Sequence, residues 1–247
     1  MNPRQLVLSL LLIVGATTFA DDQDLQRDIR QLGGRAFTSK RTGVIIEINL
    51  NGNPAVVPAL LRRIGQLNSL TDLSLEETSA DDQGVYQLRS LSNLQWLNLY
   101  RTAVSDQGLK SIGKIHSLTD LPIGETKITD AGLPSLLALT NLSYLGLRAN
   151  RISDAGLEHL GQMTNLTGLH LGETSVSDRG LKHLASLGRL QKLWLHDTRV
   201  SDDGIISLSS LTNLQQLLIY NTKVTAKGYR KLQDALPDCF ILYSVPQ

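Results

Sequence analysis

Seven stretches of this 247-residue chain begin on leucine and follow one another every 24 residues without an insertion, at Leu70, Leu94, Leu118, Leu142, Leu166, Leu190 and Leu214. Within each copy leucine or isoleucine occupies the first, fourth and sixth places, as in Leu118, Leu121 and Ile123. A threonine or asparagine follows (Thr78, Thr102, Thr126, Asn150, Thr174, Thr198, Thr222). Next come a small or β-branched apolar residue, usually Ser/Thr-Asp-x-Gly, and an apolar run at helical spacing such as Leu157, Leu160 and Met163. A fixed period of this length is the signature of a solenoid, because a unit so small cannot bury its own apolar face and must stack on its copies.

The alternating leucines place a strand of about five residues at the start of each copy, with its inward side chains in a shared core. Ser/Thr and Asp before the second half, as in Ser201-Asp202-Asp203-Gly204, are expected to cap a helix by accepting its first free N–H groups. The Asp carboxylate also favours the positive helix end. The threonine or asparagine after each strand is expected to bond turn backbone, its own or a neighbour's. Val44–Ser69 reads as a first, irregular copy, with Asn53 in the turn place and Pro54 and Pro58 replacing the helix signal. Pro122 removes a donor from an interior strand, so a local gap in the ladder is expected there.

The ends differ from the repeats. Residues 1–20 carry Arg4, an apolar run from Leu6 to about Ala16, and small residues before an acidic stretch, the layout of a secretory signal peptide with cleavage after Ala20 or Ala16. The run is too short for a membrane span, which needs about 20 apolar residues. The mature chain is therefore expected to be exported, to a cell envelope or beyond, with no membrane insertion. Residues 21–43 form an N-terminal cap, where Leu25, Ile29 and Leu32 share one helix face and Gly33-Gly34 stops it. Arg35–Thr38 is read as a strand. Residues 44–236 hold the repeats and 237–247 a C-terminal cap, with Cys239–Tyr243 as a closing strand.

The pattern LxxLxLxxT/N with a following helix resembles the leucine-rich repeat family. The half Thr-x-Val/Ile-Ser/Thr-Asp-x-Gly-Leu (Thr126–Leu133, Thr174–Leu181) is similar to its ribonuclease-inhibitor-like class, in a form found in exported bacterial proteins. The resemblance covers residues 44–243. It implies an α/β solenoid curved as a right-handed horseshoe, with a parallel sheet on the concave face and helices on the convex face. The family's usual Asn or Cys after the strand is mostly Thr here, which implies a different bonding of the turn.

Strand alternation sends the residues between the leucines out of the concave face. Those singled out as ligand-binding are Trp96, Asn98, Tyr100, Tyr144, Arg148, His170, Trp194, His196 and Tyr220. They include both tryptophans of the chain, and exposed Trp and Tyr on a rigid sheet are the side chains expected of binding hot spots. Pro122, Gly124, Gly146, Gly168 and Gly172 lie among them, which suggests a shallow trough with aromatic flanks. The expected function is non-catalytic binding of a protein or peptide; a glycan is the alternative ligand for the same aromatics.

Composition narrows the classes. Lys and Arg total 24 against 23 Asp and Glu, a net charge of +1, so the strongly basic face that nucleic acid requires is missing. One cysteine allows no intrachain disulfide. No serine elbow, phosphate loop or zinc-ligand spacing occurs, so no catalytic residue, cofactor or metal is expected. His170, Glu173, His196 and Asp197 could face one another, but are read as a solvated polar group. The row Asp82, Asp106, Asp130, Asp154, Asp178, Asp202 offers too few oxygens per copy for calcium and is read as helix caps.

Overall fold

A computed structural model describes residues 22–244; the expected signal segment lies outside them. Ten strands form one sheet in chain order: β1 (Arg35–Thr38), β2 (Ile45–Asn49), β3 (Asp72–Ser74), β4 (Trp96–Asn98), β5 (Asp120–Pro122), β6 (Tyr144–Gly146), β7 (Gly168–His170), β8 (Lys192–Trp194), β9 (Gln216–Leu218) and β10 (Phe240–Leu242). β1 runs antiparallel to β2 and every later pairing is parallel. The sheet lines the concave side of a curved solenoid and the helices lie outside it.

Register follows the leucines. Leu145, Leu169, Leu193 and Leu217 are partners across successive strands, and Ile241 continues the row. Together with the first and sixth places of each copy they build one continuous core from Leu25 to Ile241, with most members wholly buried. Each fully buried leucine contributes about 1.5–3 kcal/mol of apolar transfer.

The convex side is short helix. Pro58–Ile64, Asp106–Ile112 and Asp154–Leu160 are α-helical over seven residues. Asp130–Leu136 is a 3₁₀ helix with Pro134 inside it, where the missing N–H disfavours an α-helical turn. Asp178–Leu181 and Asp202–Ile205 run on as 3₁₀ turns to Ser186 and Ser210.

The acidic row requires a correction. Where a side chain caps the helix's own N–H groups, it is the residue before the Asp: Ser105 accepts from Gln107 N–H, Thr129 from Ala131 and Ser201 from Asp203, while Asp81 accepts from Gly84 and Ser177 makes no such bond. The Asp instead reaches the next copy. Asp82 takes the N–H and hydroxyl of Ser105, and Asp106, Asp130, Asp154, Asp178 and Asp202 repeat this on Thr129, Ser153, Ser177, Ser201 and Thr225. The glycine of the next copy makes room for it: a Cβ on Gly228 would lie 2.1 Å from Asp202 Oδ1. Ser/Thr-Asp-x-Gly is thus a latch between copies as well as a helix start.

The turn threonines bond within their own copy. Thr78, Thr102, Thr174, Thr198 and Thr222 each donate to the carbonyl three residues back. Asn150 is long enough to reach across, donating to Ile123 O and accepting from Thr126 N–H at 2.9 Å. The shorter Thr thus gives up the bond between copies, and the Asp latch supplies one on the other side. At Pro122 the register between β4 and β5 shrinks to Trp96 with Asp120, while β5 and β6 keep three partners. This is the expected gap.

At both ends of the repeats further segments pack on the core. Residues 22–31 are helical, Leu25 and Ile29 enter the core, and Gly33 ends the helix at φ +77°. The helix Ala226–Ala235 buries Leu232, and Tyr229 stacks on Tyr243 at 5.0 Å. Cys239 is buried, and burial pushes its thiol up to about 11, so it packs as an apolar group.

Candidate binding surface

Three outward columns cross the sheet. The first holds Asp72, Trp96, Asp120, Tyr144, Gly168 and Lys192; the second, two residues on, holds Ser74, Asn98, Pro122, Gly146, His170 and Trp194. The third, just past the strands, includes Tyr100, Arg148, His196 and Tyr220.

Five of the nine singled-out residues meet in one chain of rings over β6–β9. Tyr144 meets Trp194 edge-on at 6.2 Å, and Trp194 stacks on His170 at 5.3 Å with 15° between planes. His170 meets His196 edge-on at 5.2 Å, and His196 stacks on Tyr220 at 4.7 Å and 4°. The glycines seat these rings, so the expected trough is largely filled. A Cβ on Gly168 would lie 2.8 Å from the Tyr144 ring, and one on Gly172 would lie 2.4 Å from His196 Nε2.

Tyr100, Arg148 and two glutamates form a second group. Tyr100 crosses Gly124 to accept from Arg148 Nη1 at 2.9 Å and donates to Glu125. Arg148 also holds Glu173 at 2.5 Å, and Arg101 bridges Glu77 and Glu125. Hydrogen bonding from Arg101 and then Tyr100 holds the Glu125 carboxyl below its usual range, and burial raises the Tyr100 phenol. These ion pairs lie beside residues in left-handed backbone, Glu77, Arg101, Glu125, Ala149, Glu173, Asp197 and Asn221, all with φ between 52° and 59°. Only Gly52, at φ +69°, marks that column with a glycine, so sequence reasoning missed it.

Two singled-out residues depart from the expected exposure. Asn98 is 7% exposed, donating to Glu76 and accepting from Tyr100 N–H, and His196 is 6% exposed beneath its neighbours. Both lie below the surface, while Trp96, Tyr144, His170, Trp194 and Tyr220 stay half-buried. Trp96 stands apart from the ring chain. The sequence also missed Phe240 and Leu242, 62% and 42% exposed, which extend the first and second columns past Gln216 and Leu218.

Donor atoms of Glu173, His196 and Asp197 lie within 4.8 Å of one another, which is close enough to hold a cation. Each is already engaged. Arg148 holds Glu173, His196 Nδ1 lies 2.9 Å from Asp197, and Asn221 donates to Asp197 at 3.1 Å. A metal would have to displace an arginine, and the site is better described as a compensated polar cluster. No helix among the described residues is long and apolar enough to cross a membrane.

Residues 63–242 match the family described as a leucine-rich repeat region. No curated protein matches the chain. Among solved structures, the chain is similar to internalin C2 of Listeria monocytogenes, with 25% identity, 81% of each chain covered and a TM-score of 0.67. It is also similar to an internalin, InlF, of the same organism, with 24% identity, 76% of this chain and 58% of that one covered, and a TM-score of 0.59. The ectodomain of the plant membrane receptor kinase GASSHO1/SCHENGEN3 of Arabidopsis thaliana, solved in complex with Casparian strip integrity factor 2, shares the fold. Its identity is 17% over 85% of this chain and 25% of that one, with a TM-score of 0.58.

Proposed function

The chain belongs to the leucine-rich repeat family, and on that premise we propose that it is an exported, non-catalytic module that binds a protein or peptide through its concave face. The observation that carries this reading is the chain of rings Tyr144–Trp194–His170–His196–Tyr220, which runs on toward exposed Phe240 and Leu242. Rigid aromatic groups offer contact area at little entropic cost, and a row of them held by the sheet is preorganised for a partner. The receptor ectodomain with the same fold was solved with its own bound factor, which favours a protein or peptide ligand over the glycan alternative. Export rests on the layout of residues 1–20.

The test is retention of the natural partner from the exported fraction by the mature chain, compared with a Trp194→Ala/Tyr220→Ala variant. Each hot spot being worth about 2 kcal/mol or more, or about 30-fold, loss of both anchors should weaken binding about 1,000-fold if the two effects add. The leucine spine is untouched, so the variant should remain folded, with a thermal midpoint lowered by the three ring contacts it loses. Equal retention by both proteins would remove the basis of the proposal.

A further inference from the structure

The first column reads Glu47, Asp72, Trp96, Asp120 and Tyr144 on adjacent strands. Three carboxylates in such a row, two of them direct neighbours, repel one another. Asp72 and Asp120 receive only the hydroxyls of Thr71 and Thr119, and among the described residues neither these two nor Glu47 makes an ion pair. The outward columns of β2–β5 contain no Lys or Arg; Arg35 lies at the outer edge beside Asn49, and Arg148 is committed to Glu173. Two further observations point to a ligand. Among the described residues Trp96 is half-buried between Asp72 and Asp120 with no ring partner, whereas Tyr100, Tyr144, Trp194 and Tyr220 are stacked or hydrogen-bonded. Ser74, on the same face of β3 between Asp72 and Glu76, is 2% exposed with its hydroxyl unpartnered.

We infer that Trp96, Asp72 and Asp120 form a subsite for a basic side chain, lysine or arginine, of the partner bound by the concave face. The inference rests on the binding role proposed above and names the partner's chemistry. Asp72 and Asp120 are two strands apart, about 10 Å at ~4.8 Å per strand. A guanidinium laid on the indole face spans that gap and meets a carboxylate at each side. The ligand would then supply the positive charge that the fold leaves out, with its cationic end over β3–β5 and its apolar part over β7–β10.

The test is selection of a random octapeptide library on the immobilised mature chain, repeated with an Asp72→Asn/Asp120→Asn variant shown to be folded by circular dichroism. The expected result is enrichment of Lys or Arg at one position, with at least tenfold fewer such peptides recovered on the variant. Peptides recovered without basic enrichment, or with enrichment that the variant keeps, overturn the subsite and leave the binding role standing. Recovery of nothing on the wild-type chain overturns both.

Discussion

His170 sits where packing and charge act on one imidazole. Burial, then the neighbouring His196 and Arg148, lower its pKa to about 4. Its Nδ1 accepts the Gly172 N–H at 3.2 Å, a bond available only to the neutral ring. In the unfolded chain the same ring takes a proton near pH 6.5. Between pH 6.5 and 4 the unfolded state therefore binds more protons, so stability rises with pH across that window. The contribution is complete above pH 6.5 and is lost on acidification. Thermal midpoints measured at pH 7 and pH 4 should fall further for wild type than for His170→Gln. Equal falls would show that His170 titrates as a free side chain. Its stacking on Trp194 ties this residue to the ring chain, so acid should loosen the surface where binding is proposed.

At the scale of one repeat, the latch decides between two opposing effects. Gly→Ala inside an exposed helix ordinarily stabilises by about 0.8–1.0 kcal/mol. In the helix Ala226–Ala235, a Cβ on Gly228 would meet Asp202 Oδ1 at 2.1 Å and Cγ at 2.6 Å, displacing a carboxylate held by Thr225. Gly228→Ala should therefore destabilise the chain by about 1–3 kcal/mol. In an Asp202→Ala background the two shortest of these contacts are gone, and the same change should cost much less. A denaturation double-mutant cycle reads the coupling directly; additivity would refute the latch. The sequence showed Ser/Thr-Asp-x-Gly plainly but not its direction. With an invariant period, a carboxylate that caps its own helix and one that reaches the next copy leave the same pattern. The left-handed column was hidden for a related reason: six of its residues are charged or amide side chains and the seventh is Ala149, with no glycine beyond Gly52 to signal it.

Across the whole molecule, the spine and its strands could be read from one chain because burial repeats with the leucines, and the place of the outward side chains follows from alternation alone. How those side chains lean does not. Gly124, Gly146, Gly168 and Gly172 suggested a hollow, yet Tyr100, Tyr144, His170 and His196 lie against them. Phe240 and Leu242 were legible as a closing strand, while their exposure depends on the sheet ending there. The result is a face with two ends, acidic around Trp96 and aromatic to apolar from Tyr144 to Leu242. The opposite side carries its own exposed ring, Tyr86, beneath Arg89 at 3.7 Å, beside a cleft of about 310 Å³ shared with Pro58 and Gln107. That ring serves as an internal reference. Hydroxyl-radical footprinting of the mature chain, with and without its retained partner, compares the two sides in one experiment. The account predicts protection of Trp96, Tyr144, Trp194 and Tyr220 with no change at Tyr86; protection of Tyr86 with unchanged labelling of the concave rings would contradict it.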